Sequence, residues 1–207
     1  MSRVRADDYD NKKQFILERA AALFASKGFS SATMIDVANA CEASKSRIYH
    51  YFPGKEDVLF AIVSEHIKTQ YAELAEIAAS PLPVEERFAQ FVRTFVEHSA
   101  ASRNEHLVLM NDLSFLPKSR LKQVRELEAQ LVNLLINLLE EINPGLMQPQ
   151  KVKAPYAMLL FGMIIWTFTW YKKNGAITPK ELAARISGLF MNGFANAQFN
   201  NEGASDE

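Results

Sequence analysis

Residues 33–60, TMIDVANACEASKSRIYHYFPGKEDVLF, constrain this chain more than any other stretch, because two helix starts and a tight turn fall within twenty residues. Thr33 is a natural N-cap, since its hydroxyl can accept from an orphan amide of the first turn. Ile35, Val37 and Ala38 then supply a small apolar face for a first short helix. After a turn at Cys41 to Ala43, Ser44 caps a second helix. Its Ile48 and Phe52, at i and i+4, point inward, which leaves Lys45, Ser46, Arg47, Tyr49, His50 and Tyr51 on the exposed side. Two short helices at a tight turn, the second rich in donors and rings, are what is needed to lay one helix in a DNA major groove while its neighbour braces on the backbone.

Charged residues on a helix are usually just solvated, so a surface hairpin is the competing reading. Charge distribution argues against it. From Ala43 to Lys55 there are three cations (Lys45, Arg47, Lys55), a histidine and no carboxylate, although the whole chain carries a net −1. Residues 1–55 sum to +3 and the remainder to −4, as expected when one end meets a polyanion. The tyrosines beside these cations can bond phosphate oxygens and pack on sugars. On this division Lys45 and Arg47 face base edges, with guanine N7 and O6 as natural partners. Thr33, Ser44, Ser46, Tyr49, His50, Tyr51 and Lys55 serve the phosphates and the approach to the groove.

The run SKSRIYHYFPGKEDVLF resembles the recognition helix and following helix of the TetR family of bacterial transcriptional regulators. The serine, the Tyr-x-Tyr-Phe run and the Lys-Glu-x-x-Leu-like continuation stand together at the family's spacing, and the likeness covers the first 60 residues most clearly. The resemblance implies an all-α protein. An N-terminal three-helix helix-turn-helix domain (residues 1–54) is joined by a long helix to a C-terminal effector-binding and dimerisation domain (55–200), and 201–207 form a disordered tail. It further implies a homodimer that reads a palindromic double-stranded operator, with Tyr49 and Lys55 at the family's usual backbone-contact positions and Arg47 at one that varies with operator sequence. The chain departs from the family at Glu42, where glycine is usual. A non-glycine residue there costs about 1 kcal/mol if the position needs positive φ.

Beyond this motif the pattern is helical throughout, with no alternating strand signal. A first helix is predicted from Asn11 to Lys27, burying Ile16, Ala20, Leu23 and Phe24 and ending at Gly28. A long helix from Lys55 carries Val58, Leu59, Ile62, Val63, Ile67 and Leu74 before Pro81 and Pro83 stop it. Glu85 to Ala101, Glu105 to Phe115, and a long helix from Pro117 to Ile142 follow; the last is striped by Val124, Leu127, Leu131, Leu134, Leu135, Leu138 and Ile142.

Ala154 to Tyr171, APYAMLLFGMIIWTFTWY, has 18 residues without a formal charge, so a membrane span and a membrane-associated interaction protein compete with a helix buried on two sides. Two threonines and Pro155 favour burial. The helix from Pro179 to Phe199, with Gly188 and Gly193, then packs with it against a second copy as a four-helix dimer interface. Met110, Phe115, Met158, Phe161, Met163, Trp166, Phe168 and Trp170 are the flat and adaptable side chains suited to an apolar effector pocket. The C-terminal helices are similar to those of TetR-type regulators of aromatic-acid, fatty-acid and steroid-ring catabolism, several of which respond to acyl-CoA thioesters. Sensing of a hydrophobic drug or a free acid is the alternative. Cations at Lys118, Arg120, Lys122, Arg125, Lys172 and Lys173 are available for CoA phosphates.

Other classes find less support. No nucleophile elbow, HExxH pair or phosphate-binding glycine loop is present, and His106 with Asp112 falls outside one helical turn, so no catalytic residue is assigned. One cysteine and four dispersed histidines offer too few ligands for a structural zinc, and neither metal nor cofactor is expected. A polar start, MSRVRADDYDNKK, and the single Cys41 point to the cytoplasm.

Overall fold

The computed structural model describes residues 2–172 and 175–194, with side chains described for 9–167, 169–172 and 175–194. The described residues form helices α1 (Ser2–Lys27), α2 (Met34–Ala40), α3 (Lys45–Tyr51), α4 (Lys55–Ala78), α5 (Val84–Ala101) and α6 (Arg103–Asp112). A 3-10 turn at Leu113–Phe115 follows, then α7 (Lys118–Ile142), α8 (Pro144–Met147), α9 (Gln150–Ile165), α10 (Thr167–Trp170) and α11 (Pro179–Phe194). The fold is all-helical, as the sequence pattern requires. Lys173, the extension of the last helix to Phe199 and the tail 201–207 lie outside the described residues.

Helix boundaries follow from local chemistry. Gly28 takes φ +82°, open to glycine without penalty, and its amide bonds the Phe24 carbonyl at 2.8 Å to end α1. Thr33 caps α2, Ser44 caps α3 by accepting from the Arg47 amide, and Thr178 with Glu181 forms a capping box at the start of α11. Asn143 caps α8 and also donates to the Phe194 carbonyl at 3.0 Å. Several details differ from expectation. α1 begins at Ser2, nine residues before Asn11, because its first turns lack the apolar periodicity that marks a helix in sequence. Leu17 and Ala21 are fully buried where Leu23 is only half-buried, and Met34 takes the inward place on α2 while Ile35 is 54% exposed. A seven-residue helix has room for one narrow apolar face, and Met34, Val37 and Ala38 at i, i+3 and i+4 occupy it.

Packing divides the chain into two compact units that are not contiguous in sequence. The first comprises residues up to Gln70 together with Ala101–Glu128. The second comprises Tyr71–Ala100 and the described residues from Ala129 on. The sequence division at 54/55 follows the motif, whereas these units follow which parts of the backbone lie close together. In the first, α1 packs against α2 and α6, and α2 against α3, around Ile16, Ala20, Phe24, Val37, Ile48, Leu59 and Val63. In the second, aromatic contacts dominate: Phe88 stacks on Phe190 at 5.7 Å, Phe190 on Phe194 at 5.2 Å, and Phe95 meets Phe161 at 5.3 Å. Of the α7 stripe, Val124, Leu131, Leu135 and Leu138 are buried, and Leu127, Leu134 and Ile142 are half-buried.

The uncharged segment 154–171 is not one helix. α9 ends at Ile165 and α10 restarts at Thr167, where the Thr167 and Thr169 hydroxyls donate to the Ile164 and Trp166 carbonyls at 2.6 and 2.8 Å. Such back-bonding by threonine competes with the helix ladder and bends it. Among the described residues no helix is long and apolar enough to cross a membrane. Among the described residues one side of α9 is buried, while Met158, Leu159 and Gly162, with Trp166 just beyond the helix, are exposed.

The turn between α2 and α3 holds Glu42 at φ +50°, the left-handed conformation that favours glycine. Glu42→Gly should therefore raise the unfolding free energy by up to about 1 kcal/mol, and Gly28→Ala should lower it by about the same, read from urea midpoints at constant slope.

Candidate nucleic-acid interface

The two caps that define α2 and α3 are built from the chain's own short polar side chains. At α2 the Thr33 hydroxyl accepts from the Asp36 amide at 3.1 Å and donates to Asp36 Oδ2 at 2.8 Å, while the Thr33 amide donates to the same oxygen at 2.8 Å. Lys27 at the end of α1 reaches that carboxylate at 2.8 Å. These donors, Lys27 first and then the hydroxyl and amide of Thr33, hold the Asp36 carboxyl down from its ordinary 3.8 to about 2. Thr33 is thus committed to the cap, and its side chain reaches a phosphate only by sharing that hydroxyl.

α3 is anchored by Ile48, fully buried, and by Phe52 just beyond it. With those residues facing in, Lys45, Ser46, Arg47, Tyr49 and His50 are exposed and Tyr51 is half-buried. Lys45 Nζ lies 5.5 Å from the Tyr49 ring centroid, close enough for the phenol face to hold the ammonium over the helix. Tyr51 stacks on Tyr9 of α1 at 4.7 Å and 28°, and His50 meets both rings edge-on at 5.5 and 6.4 Å. A cleft of about 510 Å³ opens beside this cluster, lined by Ser44, Ser46, Arg47, His50, Tyr51 and, from α1, Lys12. Sequence reasoning missed Tyr9 and Lys12. Their signal was available, since they stand at i and i+3, one to two turns ahead of the Ile16–Leu17 anchor, once α1 is extended past Asn11.

Lys55 sits apart from this face. Its ammonium donates to the carbonyls of Phe29 at 2.8 Å, Ala32 at 2.9 Å and Ser30 at 3.4 Å, and lies 4.4 Å from the Phe29 ring centroid. All three of its donors have protein acceptors. It therefore ties the first residue of α4 to the α1–α2 turn, a role sequence position alone does not reveal.

The proposed effector residues fall in both units. Met110 and Phe115 belong to the first unit, where both are exposed on one side and Phe115 meets Phe29 at 5.0 Å. In the second unit Phe161 is buried against Phe95 and Met163 is half-buried, but Met158, Trp166 and Trp170 are exposed at 55%, 67% and 51%. The Phe168 side chain lies outside the described residues. Three of the eight, on α9 and α10, face outward because the inward stripe of α9 is already filled by Ala157, Leu160, Phe161 and Ile164. Of the cations considered for CoA phosphates, Arg120 pairs with Asp57 and lies over the Phe60 ring, Arg125 pairs with Glu128 at 2.7 Å, and Lys122 approaches Glu126 at 3.9 Å. Among the described residues no three His, Cys, Asp or Glu side chains are grouped to hold a metal ion.

Comparison with known proteins adds to this geometry. Residues 16–62 match the family model described as "Bacterial regulatory proteins, tetR family", and residues 81–194 match that of "Tetracyclin repressor-like, C-terminal domain". The chain is 24% identical over 197 residues to the HTH-type transcriptional repressor KstR2 of Rhodococcus jostii, covering 92% of this chain and 96% of that protein. A TetR-family transcriptional regulator from Bordetella parapertussis superposes with a TM-score of 0.84 at 36% identity, over 93% of this chain and 100% of the other. The fold is also shared with AibR, solved in complex with isovaleryl coenzyme A and operator DNA, at a TM-score of 0.75 and 22% identity over 86% and 97% of the two chains.

The Asp36 geometry carries a pH dependence. A carboxyl whose folded pKa is depressed contributes stability that is present above its unfolded value of 3.8 and lost as pH falls through about 2. Asp36→Asn should lower the melting temperature at pH 7, and the gap to the wild type should close between pH 4 and 2, as followed by circular dichroism.

Proposed function

Because the chain belongs to the TetR family of bacterial transcriptional regulators, we propose that this DNA-binding, ligand-responsive protein is a homodimeric repressor released from a palindromic operator by a hydrophobic effector. The observation that carries the DNA-reading part is α3. On that helix every side chain that is not anchoring it presents a cation, a hydroxyl or a ring, and no carboxylate occurs from Ala43 to Lys55. Lys45 and Arg47 read base edges, Arg47 setting operator preference. Ser44, Ser46, Tyr49, His50 and Tyr51 hold phosphates, with Lys12 adding a cation from α1 across the cleft. Lys55 acts on DNA through the position of α4, and Thr33 through the start of α2.

The dimer is supported by uncovered apolar surface. Met158, Leu159, Gly162 and Trp166 form an exposed stripe at helical spacing on α9, and Leu189 is 71% exposed on α11 beside the open positions of Gly188 and Gly193. A contiguous exposed apolar stripe is a docking surface, and small residues admit a close partner helix. A second copy covering α9 and α11 gives a symmetric interface. Two copies of α3 then enter successive major grooves only when held about 34–36 Å apart, so a ligand that alters this spacing alters affinity without touching DNA.

The effector reading takes support from the relatives. KstR2 is named a repressor, and AibR was solved with isovaleryl coenzyme A. An acyl-CoA thioester fits a mostly apolar, Met- and aromatic-rich C-terminal half. It must bind the DNA-incompetent state about 100-fold better to weaken operator affinity by about 2.7 kcal/mol.

The test is fluorescence anisotropy on duplex DNA from upstream of the gene, or on a site selected from a random library, titrated with acyl-CoA thioesters, free acids and free CoA. Release by a thioester but not by CoA is the expected result; binding that ignores the whole panel discards the effector class and keeps the regulator. On the same DNA, Arg47→Ala should cost about 1–3 kcal/mol and relax sequence preference. Lys55→Met should weaken binding while leaving the slope of log K against log salt unchanged, and should lower the melting temperature. A slope smaller by about one unit returns Lys55 to the phosphates.

A further inference from the structure

The buried stripe of α4 contains two residues that an ordinary core would not. Leu59, Ile62, Val63, His66, Ile67 and Gln70 are each at most 5% exposed, and four of the six are aliphatic. His66 and Gln70 stand one helical turn apart on the same face. From α6 a third polar side chain, His106, is 3% exposed and sets its ring 6.0 Å from that of His66, with planes at 67°. Val108 and Leu109 are the buried aliphatic residues of the same short helix. Gln70 Nε2 is buried with no hydrogen-bond partner among the described residues. A donor in that position destabilises the fold that contains it, and a leucine would not. The amide therefore marks a place that something other than the chain completes.

We propose that His66, Gln70 and His106 form the polar subsite that recognises the carbonyl oxygen of the effector, the remainder of which is apolar. This rests on the reading of the protein as an effector-released regulator. The Gln70 amide donates to the carbonyl oxygen, and the rings of His66 and His106 border the same place. None of the three side chains is a permanent cation, so the group chosen is a carbonyl oxygen, shared by thioesters and acids, and the surrounding aliphatic stripe takes the hydrocarbon. A site of buried donors rejects an analogue that lacks the acceptor, because binding it leaves those donors unpaired. The place also suits regulation. α4 up to Gln70 and all of α6 lie in the unit that contains α3, α6 packs against α1, and Phe115 just after α6 meets Phe29 of the α1–α2 turn. A ligand held between α4 and α6 acts on the helices that frame the DNA-reading surface.

The experiment compares wild type with Gln70→Leu and Gln70→Met, which keep the volume and remove the donor. Melting temperature, operator anisotropy and ligand-induced melting shifts are measured. The probes are acyl-CoA thioesters, the matching free acids, and the matching S-alkyl-CoA thioethers, which lack only the carbonyl oxygen. Expected are an equal or higher melting temperature without ligand, unchanged operator binding, and an affinity for the active thioester or acid at least about tenfold weaker. The thioether should act weakly on wild type and variants alike. Thioester and acid arms identify which source supplies the carbonyl. A lower melting temperature in both variants shows the amide to be satisfied within the fold and overturns the proposal. So does a thioether as effective as the thioester, an undiminished response in the variants, or a wild type indifferent to every carbonyl-bearing probe. A wild type that binds no operator fails the regulator reading instead.

Discussion

The Lys55 ammonium sits where the chain leaves its first helix, among the carbonyls of Phe29, Ser30 and Ala32 and over the Phe29 ring. Of these carbonyls Phe29's also accepts from the Ala32 amide at 3.3 Å, and a half-buried ammonium needs three acceptors of its own. The turn supplies those acceptors. The result fixes the first residue of α4 to the segment from which α2 starts, one residue before the Thr33 cap. Phe29 is the common element, touching Phe24 at 5.1 Å, Lys55 and Phe115. The start of α4, the end of α1 and the turn after α6 therefore meet at one ring. Arg120 adds an ion pair from α7 to Asp57 in the first turn of α4.

The donor-rich face of α3 depends on that frame. α2 and α3 have seven residues each, too short to persist alone, so their order comes from packing and caps. Thr33 and Ser44 set where each helix begins, and Ile48 with Phe52 sets its rotation. Rotation decides which side chains are offered to solvent, because on a helix so short two inward residues dictate that everything else faces out. Glu42 in the left-handed region shows how firmly the turn is held, since the conformation persists without the glycine that would relieve it.

How much of this was legible in the sequence varies with the kind of signal. Caps, the anchors Ile48 and Phe52, the strained place of Glu42 and the buried stripe of α4 could all be read, because each depends on residues within a few positions of one another. Ile35 and Leu23 misled because two neighbouring apolar residues compete for one inward place, and the contact partner decides between them. Among the described residues, segment 154–171 holds no helix long and apolar enough to cross a membrane and breaks into two helices, a discontinuity that its apolar length does not reveal. The Thr167 and Thr169 hydroxyls break the helix, and one face of α9 is exposed among the described residues. Met158, Trp166 and Trp170 are exposed, and composition cannot say which way a helix turns. The polar pair His66 and Gln70 was visible at core spacing all along, but a search for apolar linings passes over polar residues.

The sequence by itself determined the all-helical class, the helix-turn-helix and the donor-rich face of α3, for these follow from periodicity and capping over short spans of chain. Only the tertiary structure decided that Lys55 serves carbonyls, that Lys12 and Tyr9 join α3, and that His66 meets His106 forty residues away. Those contacts join residues far apart in the chain, and their partners are chosen by the packing of whole helices, which no local pattern encodes.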